Sequence, residues 1–360
     1  MSPVIRELQA QSVPFSLILS GQHYDYNMSL QFIRELRLPK VNYSLKLRSE
    51  TPARQMGEMM MKLGEVLRGR KNEMLCVHGD TNTTLTAALV GVKVGMKVAH
   101  VEAGLRSYDW RMPEEHNRRL ADHLSDTLFA PTSVAKKNLI AERVYGRIHV
   151  TGNTVIDAVS QNMPIAKERA GITRSIVFKE FCLVTLHRAE NVDDDGTLKE
   201  IISALIDSPL PVVFPAHPRT IEGLRRIKML DTVRSSRNVQ LVSPLGYFDF
   251  LCLMSRCKMI LTDSGGIQEE ATAMCIRKPV LILRRSTERP EAVDAGFAKL
   301  AGVHKSTILR ELDKSLQKKC SLPSYSPFGD GMASKRIVRI IKESLSYQCQ
   351  TKRSSQRIDQ

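Results

Sequence analysis

Aromatic side chains are scarce in this chain of 360 residues; they form 5% of it, and tryptophan occurs once. None is interleaved with lysine and arginine in the kind of strip that stacks bases while holding phosphates. The net charge of +15 therefore does not read as a nucleic-acid interface. Long apolar runs are missing too. No stretch approaches the ~18–20 residues of a membrane span, and no leader pattern is visible at Met1, which makes the cytoplasm the default location. The seven cysteines include no Cys-x-x-Cys pair. Cys76 and Cys182 lie inside apolar, strand-like runs, and Cys252 and Cys257 are too far apart to form such a motif. Neither a disulfide framework nor a metal site is expected.

What is present is an alternation of short apolar runs with longer amphipathic stretches, the pattern of parallel α/β sheets. Strands are expected at Phe15–Leu19, Met74–Val77, Lys97–Val101, Thr127–Phe129 and Ile148–Val150, and helices at Arg54–Leu67 and Glu114–Ser125. A second series follows at Phe181–Thr185, Pro211–Phe214, Val239–Val242, Met259–Leu261 and Val280–Leu283. Two doubly wound, Rossmann-like domains facing a central cleft are expected, residues 1–155 and 156–340. Residues 341–360 read as a helix end and, from about Ser346, a polar tail without periodicity. Basic clusters such as Arg68-Gly-Arg-Lys71 look like solvated helix ends. Their summed field suits a multiply charged nucleotide substrate.

Chemistry concentrates where predicted strands end. Asp263 closes the run Met259–Leu261, and Ser264-Gly265-Gly266 opens a helix, a turn at which backbone N–H groups approach an anion closely. Glu270 follows one turn later, placed for a ribose diol, and Arg289 returns after the next strand as a fixed positive charge for a phosphate. Asp80, Glu102, His187 and His217 also follow predicted strands. Pro113-Glu114-Glu115-His-Asn-Arg118 begins a helix. Each has a structural reading as well: Asp80 as a helix cap, Glu102 paired with Arg106, Glu114 at a favourable helix start. Several carboxylates and a histidine around one cleft favour a site.

The segments HGDTNTT (78–84), HVEAGLRS (100–107), MPEEHNR (112–118), TGNTVIDAV (151–159), HRAEN (187–191), TDSGGIQEE (262–270), TERPEAV (287–293) and PFGDG (327–331) resemble the non-hydrolysing UDP-N-acetylglucosamine 2-epimerases. The resemblance runs from the first helix to about residue 340. It implies a GT-B-type pair of domains, a homodimer, and interconversion of UDP-GlcNAc and UDP-ManNAc through elimination and re-addition of UDP. No metal or redox cofactor is implied. By motif match Asp80, Glu102 and Glu114 are the proton-transferring carboxylates, and His187 lies near the diphosphate. Arg118 and Arg289 are positive charges of the site, Ser264, Gly265 and Gly266 the phosphate loop, Glu270 the ribose contact and Phe250 the neighbour of the uracil. Gln22, Glu114, Arg188 and His217 match positions that bind a second, activating UDP-GlcNAc in some members.

The match departs at the start. The family opens with a strand and a Gly-Thr-Arg-Pro-Glu turn, and this chain enters at the following helix. The resemblance implies a natural chain longer by ~15 residues, the size of a strand and turn, and weak activity or stability without them. The alternatives are a hydrolysing 2-epimerase that releases ManNAc, a retaining GT-B glycosyltransferase, and an inactive nucleotide-sugar-binding paralogue.

Overall fold

The computed structural model describes residues 1–21, 33–49, 51–168, 171–317 and 322–355. Contacts divide the chain into two units, Met1–Asp157 with Gly331–Gln360, and Ala158–Asp330. Both are α/β with parallel sheets. Among the described residues no helix is long and apolar enough to cross a membrane.

In the first unit β1 (Ile18–Leu19) and β2 (Tyr43–Ser44) form a parallel pair. A four-stranded sheet holds β3 (Met74–His78), β4 (Lys97–Val101), β5 (Thr127–Ala130) and β6 (Arg147–Val150) in that order. Alternation along β4 decides what each face buries. Val98 packs with Met59, Leu63, Leu67 and Ala88 from the helices Pro52–Leu67 and Asn82–Lys93. Ala99 and Val101 pack on the opposite face with Val4 and Leu8 of the helix Ser2–Ala10 and with Ile337, Val338 and Ile341. His100, two residues beyond Val98, shares Val98's face, an unusual place for a polar ring with 0% exposure.

The segment from Gly331 does not continue the second unit, as the sequence reading had it. Its helix, Ala333–Ser355, lies on the first unit, with its start fixed by buried Asp157. That carboxylate accepts the backbone N–H groups of Ala333 (3.1 Å) and Ser334 (2.8 Å) and the Ser334 hydroxyl (2.6 Å), so a residue far away in sequence satisfies the helix's first donors. The helix also carries on to Ser355, where an irregular tail was expected from Ser346. No glycine or proline interrupts 333–355, so nothing breaks the backbone ladder.

The second unit holds β7 (Cys182–Thr185), β8 (Val212–Pro215), β9 (Val239–Val242), β10 (Met259–Thr262), β11 (Val280–Ile282) and β12 (Ala298–Leu300) in the order β12-β11-β10-β7-β8-β9. The chain winds outward from β7 to β9, returns to β10 beside β7, then winds the other way. Ligands of such sheets bind beyond the carboxyl ends of the two strands where the direction reverses, here β7 and β10. Leu183 and Ile260, like Val184 and Leu261, are fully buried, as expected when helices cover both faces of a parallel sheet.

Candidate active site

In the first unit Asp80 and Glu102 follow the carboxyl ends of the neighbouring strands β3 and β4. Glu102 has φ +70°, a left-handed conformation that costs a residue with a Cβ about 1–2 kcal/mol. Its carboxylate lies 3.3 Å from His78 Nε2, and a Cβ placed on Gly79 would meet it at 3.7 Å. Burial, with the Met1 amine and His100 nearby, holds the His78 ring well below the usual histidine range, so it is neutral at pH 7. Asp80 does not cap the next helix. Thr81 does, accepting from the Thr84 N–H, which leaves the Asp80 carboxylate to pair with Arg118 at 2.6 Å. Arg118 is buried on the helix Pro113–Leu124 and also donates to Glu115. Glu114 occupies the first turn of that helix and is exposed.

Arg106 pairs with Asp122 and Glu142, contrary to the expected Glu102 partnership. The turn between them is tight. Gly104 has φ +84°, and a Cβ there would stand 2.4 Å from the Ala135 carbonyl. Only glycine fits between β4 and the helix Ser133–Ala141.

At the switch point of the second unit, Asp263 ends β10 fully buried. Its carboxylate accepts the backbone N–H groups of His187 (3.0 Å) and Arg188 (2.9 Å) and the Asn191 amide (3.2 Å), while His187 Nδ1 stands at 3.1 Å. Burial opposes its charge, but these partners outweigh burial and hold Asp263 below the usual carboxylate range. Asn191 also donates to the Leu283 carbonyl at 2.8 Å, fastening the turn after β7 to the end of β11.

Ser264 is the N-cap of the short helix Gly265–Glu270, yet its side chain makes no capping hydrogen bond. The Arg289 guanidinium lies over Gly265, 3.8 Å from where a Cβ would be, held by Glu269 and by its own backbone N–H donating to the Thr287 hydroxyl. Thr287 in turn donates to Gln268 at 2.6 Å. Buried Arg284 bridges Glu190 and Glu288, both at 2.7 Å, so the two loops flanking the helix start are cross-linked. Burial, then the neighbouring Glu269, push the Glu270 carboxyl up to about 8, and its Oε2 is buried without a hydrogen-bond partner.

Phe250 is half-buried on the helix Tyr247–Arg256. Arg188 and exposed His217 are the N-caps of Ala189–Val192 and Pro218–Arg226. Gln22 lies outside the described residues. Sequence reasoning missed the partners that fix these groups: Glu115, Asp122 and Glu142 in the first unit, and Asn191, Glu269, Arg284 and Glu288 in the second. The one local signal was the helical spacing of Glu115 from Arg118 and Arg119.

The sequence matches the family described as UDP-N-acetylglucosamine 2-epimerase over residues 6–342. It is 42% identical over 351 residues to the UDP-N-acetylglucosamine 2-epimerase of Methanocaldococcus jannaschii, spanning 95% of this chain and 94% of that one. It is 36% identical over 340 residues to the UDP-2,3-diacetamido-2,3-dideoxy-D-glucuronate 2-epimerase of Pseudomonas aeruginosa, spanning 93% of each. Among solved structures, Methanocaldococcus jannaschii UDP-GlcNAc 2-epimerase in complex with UDP-GlcNAc and UDP has a TM-score of 0.84 at 41% identity, over 95% of each chain. A match of this extent, carried by similarity along nearly the whole sequence, means that the chain belongs to the UDP-N-acetylglucosamine 2-epimerase family.

Proposed function

We propose that this protein interconverts UDP-GlcNAc and UDP-ManNAc without net hydrolysis. The hydrogen on C2 of the sugar has no adjacent carbonyl to acidify it, so simple deprotonation and return is forbidding. Elimination avoids the difficulty. A carboxylate takes the C2 proton as the C1–O bond to UDP breaks, leaving 2-acetamidoglucal. UDP then adds back at C1 while a proton arrives at C2 from the opposite face. Asp80, Glu102 and Glu114 supply the proton-transferring carboxylates, with Arg118 setting Asp80. The departing diphosphate is assigned to Ser264, Gly265 and Gly266 with Arg289 and His187, and the uracil to Phe250. A second UDP-GlcNAc acting through Gln22, Arg188 and His217 remains part of the proposal.

The observation that carries the reading is the second unit's switch point, where Asp263 locks the His187 turn to a glycine-opened helix start under Arg289. Incubation with UDP-GlcNAc alone tests it: UDP-ManNAc is expected as the product. Free ManNAc with UDP would make the enzyme hydrolytic, and turnover confined to a diacetamido uronate nucleotide would move the substrate.

Glu270 gives the nucleotide half its own test. With its carboxyl at about 8 against an ordinary 4.5, Glu270 is protonated in the unliganded protein at pH 7. A raised carboxyl stabilises the fold below the ordinary value and loses that contribution as pH rises through about 8. Hydroxyls of a ribose donating to Glu270 favour the ionised form, so UDP binding at pH 7 is expected to expel its proton. Calorimetry in buffers of different ionisation enthalpy measures this. Proton release by the parent should exceed that of Glu270→Gln, and equal values would remove Glu270 from the ribose contact.

A further inference from the structure

Eight ionisable side chains of the first unit form a chain of alternating charge. His100 pairs with Asp122 at 2.7 Å, and Asp122 with Arg106 at 2.8 Å. Arg106 pairs with Glu142 at 2.7 Å, and Glu142 with Arg119 at 2.5 Å. Arg119 pairs with Glu115 at 3.0 Å, Glu115 with Arg118 at 2.9 Å, and Arg118 with Asp80 at 2.6 Å. The chain closes on itself, because His100 Nε2 stands 2.8 Å from the carbonyl of Gly79, the residue bonded to Asp80.

Both contacts of His100 are to acceptors. A carboxylate faces Nδ1 and a carbonyl faces Nε2, and a neutral imidazole has only one N–H to offer. A cationic His100 also balances the chain, in which three guanidiniums face four carboxylates; the other histidine beside it, His123, is exposed and stands 3.9 Å from Glu142. We propose that His100 is a buried imidazolium and a positioning residue of the epimerase: its two N–H groups hold the Gly79-Asp80 turn, and losing one proton as pH rises releases that turn and slows the reaction. The groups facing it are Asp122 from the helix Pro113–Leu124, Arg106 and Glu102 from the loop after β4, and His78 from β3. Burial works against the charge, but Asp122, Gly79 and Glu102 outweigh burial and raise the ring above the usual histidine value. The sign follows. Its contribution is complete below that usual value and disappears as pH climbs through the raised one.

The proposal rests on the epimerase reading through Asp80, but its first test needs no activity. The full chain with 15N-labelled histidine is examined by NMR at neutral pH. His100 is fully buried, so its N–H protons exchange more slowly than those of exposed rings. Two protonated ring nitrogens on one slowly exchanging histidine are expected, and a bare nitrogen there overturns the proposal even if the variant below fails to fold. The second test is the pH profile of kcat for UDP-GlcNAc. The parent is expected to show an alkaline limb, falling tenfold per pH unit at its steepest. His100→Gln, which cannot donate to both acceptors, is expected to lose that limb and turn over at least tenfold more slowly at pH 7 with KM little changed. A limb shared by parent and variant would contradict the role.

Discussion

Glu102→Gln is expected to lower epimerisation turnover by about 10²–10⁴-fold, the usual contribution of a group that transfers a proton in the transition state. The substitution preserves the size of the side chain and removes only its basicity. Because the proposed diphosphate grip belongs to the other unit, UDP affinity should stay within a few-fold of the parent, and calorimetry with UDP alongside steady-state rates separates the two. Its backbone is strained as well, being held at φ +70° where a glycine would be unstrained. Turnover within threefold of the parent would remove Glu102 from the proton-transfer step.

The second large effect is on stability. Glu115 is fully buried and accepts from the Ser107 backbone N–H (2.8 Å), the Ser107 hydroxyl (2.9 Å), Arg118 (2.9 Å) and Arg119 (3.0 Å). Burial opposes its charge, but Ser107, Arg119 and Arg118 prevail and hold it below the usual carboxylate range. Its stabilisation is therefore complete above the ordinary carboxylate value and lost as pH falls through the lowered one. Glu115→Ala leaves two guanidiniums facing each other without their shared anion, which should destabilise the fold by about 3–5 kcal/mol. Thermal unfolding of the parent and variant at pH 7 measures it. Glu115→Gln, which keeps an acceptor, should lie between them. An unshifted midpoint for Glu115→Ala would show that solvent reaches the ring far more than its geometry implies.

The sheets were legible because parallel strands buried on both faces write themselves as short apolar runs. Ten runs were expected, and a strand lies in each of them. The expected Phe15–Leu19 run contributes only Ile18–Leu19. Among the described residues the two strands missed, Tyr43–Ser44 and Ala298–Leu300, lack that signal: the first is two residues long, and Lys299 and Leu300 of the second are exposed. The destination of the C-terminal helix was not legible either, since it depends on Asp157, far back in the chain.

The candidate site divides in the same way. Residues at strand ends announced themselves through Asp80, Glu102 and the Ser264-Gly265-Gly266 turn. Their supports did not. In sequence Arg118 read as a positive charge of the site and Arg106 as a partner of Glu102, and only the fold reveals that each of them, like Arg119, lies between two carboxylates. Asp122 and Glu142 drew no reading in sequence at all. Pairings across long sequence separations leave no periodic trace, so composition gave the charges and only folding gave their order.

One experiment bears most directly on the whole account: proton NMR of UDP-GlcNAc incubated with the enzyme in heavy water. If side-chain carboxylates trade the C2 hydrogen while UDP leaves and returns, deuterium must appear at C2 of UDP-ManNAc and of recovered UDP-GlcNAc, with both still joined to UDP. Epimer formed with its original hydrogen in place would contradict that route.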